Sequence, residues 1–308
     1  MKIAKALTAC PKPLMKRLMK IVERRIEANG IRHFVVEFGA ESGKAERTLI
    51  AAHGFLDQAY GFFPLARSLA PLGVRVIAFD FRGHGRSAWA PPGAYYHFPD
   101  YLADMDALFG ELSSDAPLNL LGHSMGGTAA GLYAGARPSR IAKLVLLEGL
   151  GPPEPPLDEA PGRMRAFLDG VIRARARSHA GRPMRDAREA LERMRRLYPE
   201  LGDDPGLFIA EMNTRELETG ERIFRYDPLH QTRSPSPYRA DLHLALLREI
   251  EAETLIIHGS RGFRHPPEEE ARREAAIARR SRVIIEGAGH MLHLTHPDEV
   301  ARAIADFL

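Results

Sequence analysis

The amino-acid sequence predicts an α/β protein, a mostly parallel sheet with helices on both faces and an inserted helical segment. Three observations carry that expectation. Short β-rich runs alternate with helical patterns along most of the chain, the order that parallel strands joined by right-handed crossovers produce. The run Val74 to Phe79 is almost continuously apolar, as a strand buried on both faces must be. With 308 residues, 44% apolar and 27% charged, the chain is long enough for a full core and has an ordinary globular balance.

That balance excludes a disordered, collagen-like or coiled-coil chain. No stretch of 18 apolar residues exists, so neither a transmembrane helix nor stable membrane insertion is expected. The 43 Lys+Arg against 40 Asp+Glu leave +3, too little to argue for a nucleic-acid partner. Cys10 is the single cysteine. It excludes an internal disulfide and a cysteine-built metal site and favours a reducing, cytoplasmic location.

The elements follow in chain order. Residues 1–22 read as an N-terminal extension, in which Leu14, Met15, Leu18, Met19, Ile21 and Val22 fall near helical spacing around Lys16, Arg17 and Lys20. The expectation is a short helix packed on the domain, with a membrane-surface helix as the alternative. Pro11 and Pro13 interrupt the early lysines and no small-residue cleavage site follows an apolar run, so a secretory signal is not expected. Strands are predicted at Val35 to Phe38, Thr48 to Ala52, Val74 to Phe79, Leu118 to Leu121 and Leu144 to Leu147. Helices are predicted between them around Tyr60 to Leu72, Pro99 to Leu112 and Met125 to Ala136. Near the C-terminus, strands at Thr254 to Ile257 and Val283 to Ile285 are each followed by a helical pattern, Glu268 to Ala278 and Pro297 to Leu308.

Between Gly151 and Arg239 the alternation stops. Pro152, Pro153, Pro155 and Pro156 make a stiff exit, and helical periodicity without strands follows. The domain reading is therefore a core of residues 23–150 and 240–308 with a helical insertion at 151–239. Within it, Arg163 to Arg196 holds eleven arginines and four acidic residues, and Met164, Phe167, Leu168 and Ile172 form an apolar stripe. The stripe reads as core or as a binding face, and the arginines as a solvated face or as recognition of an anionic substrate.

The strongest chemical signal is Gly122-His123-Ser124-Met125-Gly126-Gly127, directly after a predicted strand and before a predicted helix. Glycines at 122 and 126 let the chain turn sharply and thrust the Ser124 hydroxyl above the sheet edge as a nucleophile, although a serine there can also simply cap the helix. A serine nucleophile needs a base, an acid to orient that base, and donors for the oxyanion it creates. His290, in Gly287-Ala288-Gly289-His290, follows the last strand and reaches the same edge; His293 and His296 read as loop or helix-entry residues. The backbone N–H of Met125 starts the helix after Ser124 and is one oxyanion donor. The N–H of Phe55, in the loop opened by His53-Gly54, is the other, with the His53 side chain propping that loop.

Four stretches occur in matching order over residues 26 to 308: His53-Gly54-Phe55, Phe79-Asp80-Phe81-Arg82-Gly83-His84-Gly85-Arg86-Ser87, Gly122 to Gly127, and Gly287 to His290. In these the chain resembles the α/β-hydrolase superfamily. Arg225-Tyr226-Asp227-Pro228 through Ser234-Pro235, and Glu148-Gly149-Leu150-Gly151-Pro152, are similar to its serine hydrolase-like group. The resemblance implies an eight-stranded sheet with a helical cap over the site, the nucleophile role at Ser124 and the base role at His290. It makes the Asp80 to Ser87 turn structural.

The acid departs from the pattern. Most relatives carry an aspartate after the penultimate strand, but the matching stretch here is Gly259-Ser260-Arg261-Gly262, and glycine cannot orient an imidazole. Glu148 ends the strand beyond the nucleophile, where some branches of the superfamily place their acid, and is the candidate. A carboxylate there can also merely cap the next loop. Glu268, Glu269 or Glu270 reaching back, or a dyad without an acid, are the alternatives. Asp57 lies near the oxyanion loop and reads as a cap or a substrate contact.

Serine at the nucleophile position argues against epoxide hydrolases and haloalkane dehalogenases, which need a carboxylate there. Acyl chemistry remains, on a small ester, lactone or thioester. Neither a metal nor an organic cofactor is called for, since the 13 histidines are dispersed along the chain. Phe55, His123, Met164, Phe167, Phe208 and Met212 are assigned to the substrate wall, with Leu168 and Phe224 also in the insertion. Rival classes are a carbon–carbon bond hydrolase of the same fold, a cofactor-free peroxidase-like or lyase activity, and a non-catalytic ligand-binding protein, which Gly262 favours. The sequence carries no signal for oligomeric state.

Overall fold

The computed structural model describes residues 19–39, 47–113, 116–179 and 181–308. Its strands are β1 (Ile21–Ala28), β2 (Ile31–Phe38), β3 (Arg47–Ala52), β4 (Val74–Phe79), β5 (Leu118–His123), β6 (Ile141–Leu147), a small hairpin β7 (Thr214–Glu216) and β8 (Arg222–Phe224), then β9 (Glu253–Gly259) and β10 (Arg280–Ile285). All but the hairpin form one eight-stranded sheet in the order β1-β2-β4-β3-β5-β6-β9-β10. β2 pairs antiparallel with β1 and with β4, and the remaining pairs are parallel.

The helices are α1 (Phe63–Leu69), α2 (Phe98–Leu112), α3 (Met125–Ala136), α4 (Ala160–Arg175), α5 (Ala187–Arg195), α6 (Asp203–Asn213), α7 (Ala240–Leu247), α8 (Pro267–Ala275), α9 (Leu292–Thr295) and α10 (Pro297–Phe307). On one face of the sheet Met105, Leu108 and Phe109 of α2, Ala129, Ala130 and Tyr133 of α3, and Leu244 and Leu247 of α7 close a core over Ile50, Phe79 and Leu120. On the other, Leu65 and Leu69 of α1 and Val300 and Ile304 of α10 cover Leu49, Val76 and Leu121. The inner strands β4 and β6 thus bury successive residues in opposite layers, which is why their sequences are mostly apolar rather than alternating. None of the described helices is long and apolar enough to cross a membrane.

Two expectations are overturned. Ile21 and Val22, assigned to an N-terminal helix, begin β1; the rest of that stripe up to Leu18 lies outside the described residues. The decisive local signal is Asn29-Gly30, where both residues have positive φ (50° and 68°), the two-residue turn that matches the twist of a hairpin. The stretch after Gly151 is not strand-free either: Glu218, Thr219 and Gly220 lie in the loop that joins β7 to β8, and Gly220 has φ 82°. These three-residue strands are too short for periodicity to reveal.

The segment from Gly151 to Arg239 carries its own small core, in which Leu191, Met194, Leu201 and Ile209 pack with Met291 and Leu294. It therefore rests on the loop that holds His290. Arg273, fully buried, anchors the start of the segment by donating to the carbonyls of Leu150 (2.7 Å) and Pro152 (2.9 Å). Tyr96 Oη donates to Asp227 (2.7 Å), whose backbone N–H donates to the Gly83 carbonyl (2.9 Å). These bonds tie its far end to the core.

Candidate active site

The loops leaving the carboxyl ends of β3, β5, β6, β9 and β10 carry Phe55, Ser124, Glu148, Gly262 and His290. One rim of the sheet thus collects side chains from five distant stretches, as open parallel sheets do.

Ser124 stands between β5 and α3 with φ 53° and ψ −115°. A left-handed conformation costs a non-glycine residue of order 1–3 kcal/mol and persists only where its surroundings enforce it. They do so here by close packing. A β-carbon on Gly122 would sit 2.3 Å from the Gly126 carbonyl oxygen, and one on Gly126 2.2 Å from that of Ala52. The Ser124 N–H continues the sheet ladder by donating to Leu147 O (2.9 Å). Met125 opens α3, so its N–H has no carbonyl one turn back within the helix and stands at the positive end of the dipole.

Glu148 has the same unusual backbone, φ 50°, and is held in the same way, its N–H donating to Ile257 O (3.0 Å). Its side chain is completely buried. The two carboxylate oxygens accept from the backbone N–H of Gly259 (2.8 Å) and of Phe263 (2.9 Å). The second oxygen also lies 3.4 Å from His290 Nδ1, and His258 Nδ1 stands 3.5 Å from the first. Burial pushes the carboxyl up, but the neighbouring His258, His290 and Gly259 N–H together hold it down at about 2. The carboxylate is therefore charged and faces the imidazole.

Gly262 explains why that placement is possible. A β-carbon on residue 262 would lie 2.2 Å from Glu148 Oε1 and 2.5 Å from its carboxyl carbon. The volume in which a side chain at 262 would begin is filled by the carboxylate from the neighbouring strand. Two backbone bonds, Ser260 N to Ile285 O (3.0 Å) and Arg261 N to Ala288 O (2.9 Å), lock this turn against the loop of His290.

On the other side of the rim, His53 is fully buried. Its Nε2 accepts from Phe81 N–H (3.0 Å), which places the proton on Nδ1 for donation to Gly54 O (2.7 Å). Desolvation depresses its pKa well below the usual histidine value, with His84 and His123 adding repulsion. It is thus a neutral prop. Asp80 is a second fastening: it accepts from Ala59 N–H and Arg86 N–H, both at 2.6 Å. Ser87 Oγ donates to Asp80 O (2.6 Å) and accepts from Phe34 N–H (2.8 Å), so the Asp80 to Ser87 turn is built as a brace.

The residues assigned to the substrate wall lie in different surroundings. Phe55 is 46% exposed, edge-on to His84 and His230. His123 is 1% exposed, and its Nε2 bonds the His290 carbonyl (2.9 Å); it faces inward because side chains alternate along β5 and Ser124 takes the outward place. Met212 is buried with its sulfur 3.8 Å from Arg86. Phe208 packs on Tyr60 and Phe63, and Phe167 on Tyr95. Met164 is 45% exposed on α4. The Arg-rich stretch is partly neutralised by pairs such as Arg193 with Glu189 (2.6 Å) and Arg195 with Asp203 (2.8 Å).

Two features escape the sequence. Tyr198, between α5 and α6, lies nearly parallel to the His290 ring at 6.4 Å, and burial, with Asp57 and Glu200 nearby, raises its hydroxyl to about 12. No motif marks it. The histidines are also not dispersed in space: the His123 ring lies 4.9 Å from that of His290 and 4.2 Å from that of His293, and His84 lies 4.1 Å from His230. The sequence distances concealed this.

The family model described as the alpha/beta hydrolase fold matches residues 47–297. A serine hydrolase-like protein of Danio rerio is 27% identical over 85% of this chain and 81% of its own length. Serine hydrolase-like protein 2 of Homo sapiens is 23% identical over 84% and 86%. Among solved structures, a hypothetical protein from Pseudomonas aeruginosa PAO1 is 31% identical with a TM-score of 0.80, covering 92% of this chain and 98% of that one. A thioesterase domain from the curacin biosynthetic pathway is 27% identical with a TM-score of 0.78, covering 93% and 98%. The chain belongs to the α/β-hydrolase fold family, and these relatives support a hydrolase.

Proposed function

We propose that this member of the α/β-hydrolase family is a serine hydrolase that cleaves a small carboxylic ester or thioester through an acyl-enzyme. Ser124 is the nucleophile, His290 the general base and acid, and Glu148 the carboxylate that orients the imidazole. The observation that carries this proposal is the Glu148 carboxylate, charged, anchored by two backbone N–H groups and facing His290 Nδ1 across the room left by Gly262. It supports a catalytic reading over a non-catalytic binding protein, which a glycine at 262 otherwise favours.

With these roles the reaction runs in two halves. As Ser124 Oγ attacks the carbonyl carbon, His290 Nε2 takes the hydroxyl proton, and the positive imidazolium is stabilised by Glu148 through Nδ1–H. The tetrahedral oxyanion forms beside the N–H groups of Met125 and Phe55, fixed dipoles that need no reorganisation as charge develops. Collapse expels the alkoxide or thiolate, which receives the proton from His290. Water then attacks the acyl-enzyme, giving its proton to His290; on collapse that proton returns to Ser124 and the acid is released. The similarity to a thioesterase domain supports including thioesters among the substrates. We assign residues 151–239 the role of a cap, with Tyr198 over His290 and Phe55 at the opposite side of the mouth.

The test is labelling by a fluorophosphonate, which phosphonylates an activated serine, alongside turnover of nitrophenyl esters and simple alkyl thioesters. The expected result is one label per chain, on Ser124, with hydrolysis abolished in step. A chain that neither labels nor turns over any of these substrates contradicts the proposal.

A further inference from the structure

Behind the candidate active site, Asp57, His123 and His293 each offer one ligand atom, and these atoms all lie within 4.8 Å of one another. The three residues are 7%, 1% and 0% exposed. His123 Nδ1 and both ring nitrogens of His293 lack a hydrogen-bond partner, while the buried Asp57 carboxylate beside them is engaged by the Gln58 N–H and the Asn213 side chain. Three orphaned imidazole nitrogens beside a buried carboxylate require an explanation, because each unpaired group costs desolvation energy that nothing returns.

The tautomer of His123 supplies it. A carbonyl oxygen can only accept, so the 2.9 Å contact between His123 Nε2 and the His290 carbonyl puts the ring proton on Nε2. Nδ1 is then a bare lone pair in a buried place, without a hydrogen-bond partner. An imidazole that binds a metal through one nitrogen and donates from the other to a backbone carbonyl is the arrangement that fixes a metal-ligating ring. His293 Nε2 lies 3.9 Å from Asp57 Oδ2, close enough for one ion to bridge them.

We propose that Asp57, His123 and His293 form a binding site for a divalent transition-metal ion. Two imidazoles and one carboxylate suit zinc and its neighbours better than calcium or magnesium, which prefer all-oxygen shells. Tetrahedral zinc with bonds of ~2.0–2.1 Å places ligand atoms about 3.3 Å apart, so the cluster closes on the ion by small side-chain rotations. A second grouping, His258 with Glu270 and Glu274, is a weaker candidate, because Arg264 and Arg282 already pair with its carboxylates. In the first site Asp57 follows Phe55 by two residues, His123 precedes Ser124, and His293 follows His290 by three. A bound ion therefore staples together the three loops that carry the oxyanion donor, the nucleophile and the base.

The experiment titrates metal-free protein with cobalt(II), whose visible absorption reports low-coordinate geometry, and with zinc by calorimetry and thermal melting. We expect one cobalt per chain with strong visible bands, and a melting temperature raised by zinc through its preference for the folded state. Asp57→Asn and His293→Gln are expected to weaken binding at least ~100-fold, since even outer partners of metal ligands are worth 10–100-fold, and to abolish the zinc-dependent rise. Glu270→Gln is expected to bind as the parent does. Absence of cobalt bands in the parent overturns the proposal, as does a spectrum that survives both ligand substitutions or is lost in Glu270→Gln. Should one ligand variant fail to fold by circular dichroism, the other and the parent titration carry the test.

Discussion

The carboxyl ends of β6 and β9 are neighbours in the sheet, yet at the gap between them one places a carboxylate and the other a glycine. Glu148, after β6, adopts a left-handed backbone and sends its carboxylate across the gap; Gly262, after β9, leaves the gap open. In the proposed triad the carboxylate is needed at one point in space rather than at one point in the sequence. Either strand end can supply it, but not both, since a single β-carbon at 262 meets the Glu148 carboxylate at 2.2 Å.

The sharpest way to break the comparison is to remove what both strand ends serve. Ser124→Ala is expected to lower kcat on a nitrophenyl ester by on the order of 10⁵-fold or more, as loss of a triad nucleophile does; retention of even a tenth of the activity contradicts the assignment. Next, Gly262→Ala adds one methyl where the carboxylate sits. Displacing Glu148 by about 1 Å is expected to lower kcat on the order of 10²-fold. The same methyl added to a Glu148→Ala background is expected to cost little, and the double-mutant cycle measures the coupling. The double variant Glu148→Gly with Gly262→Asp moves the acid to the other strand and is expected to exceed Glu148→Gly alone in kcat.

A smaller effect appears in stability. Because hydrogen bonds hold the Glu148 carboxyl at about 2, below the ~4.3 of a free glutamate, the folded state favours its charged form. That contribution is fully present above about pH 5 and is lost as pH falls from there through about 2. The difference in denaturant stability between the parent and Glu148→Gln is therefore expected to shrink over that interval and to stay flat from pH 5 to 8. The smallest effect is at the cap. Tyr198→Ala is expected to raise KM several-fold with kcat nearly intact, because the ring lies beside His290 without a hydrogen bond to it.

Much of the rim was legible because its chemistry is local. Gly122 to Gly127 specifies its own strand, turn and helix, and close packing of Gly122 and Gly126 against backbone oxygens accounts for the motif. The missing side chain at 262 pointed to Glu148 by the same logic. What stayed hidden depends on distant contacts or very short elements. β1 was obscured by a charged, irregular pattern, although Asn29-Gly30 announced its turn. β7 and β8 have three residues each, fewer than one period of any pattern. The convergence of Asp57, His123 and His293 spans most of the chain, and only the fold brings it about. The substrate wall is less legible for a related reason: an apolar stripe in the sequence marks a buried face without telling whether a core or a cavity lies behind it.

The most direct measurement is kcat for Glu148→Gln, a substitution that keeps the side chain's shape and removes its charge. The account predicts a fall of ~10⁴-fold, as when a triad acid is neutralised, with Ser124 still present and the fold intact by circular dichroism. A variant that turns over ester within a few-fold of the parent contradicts the assignment of Glu148 as the acid.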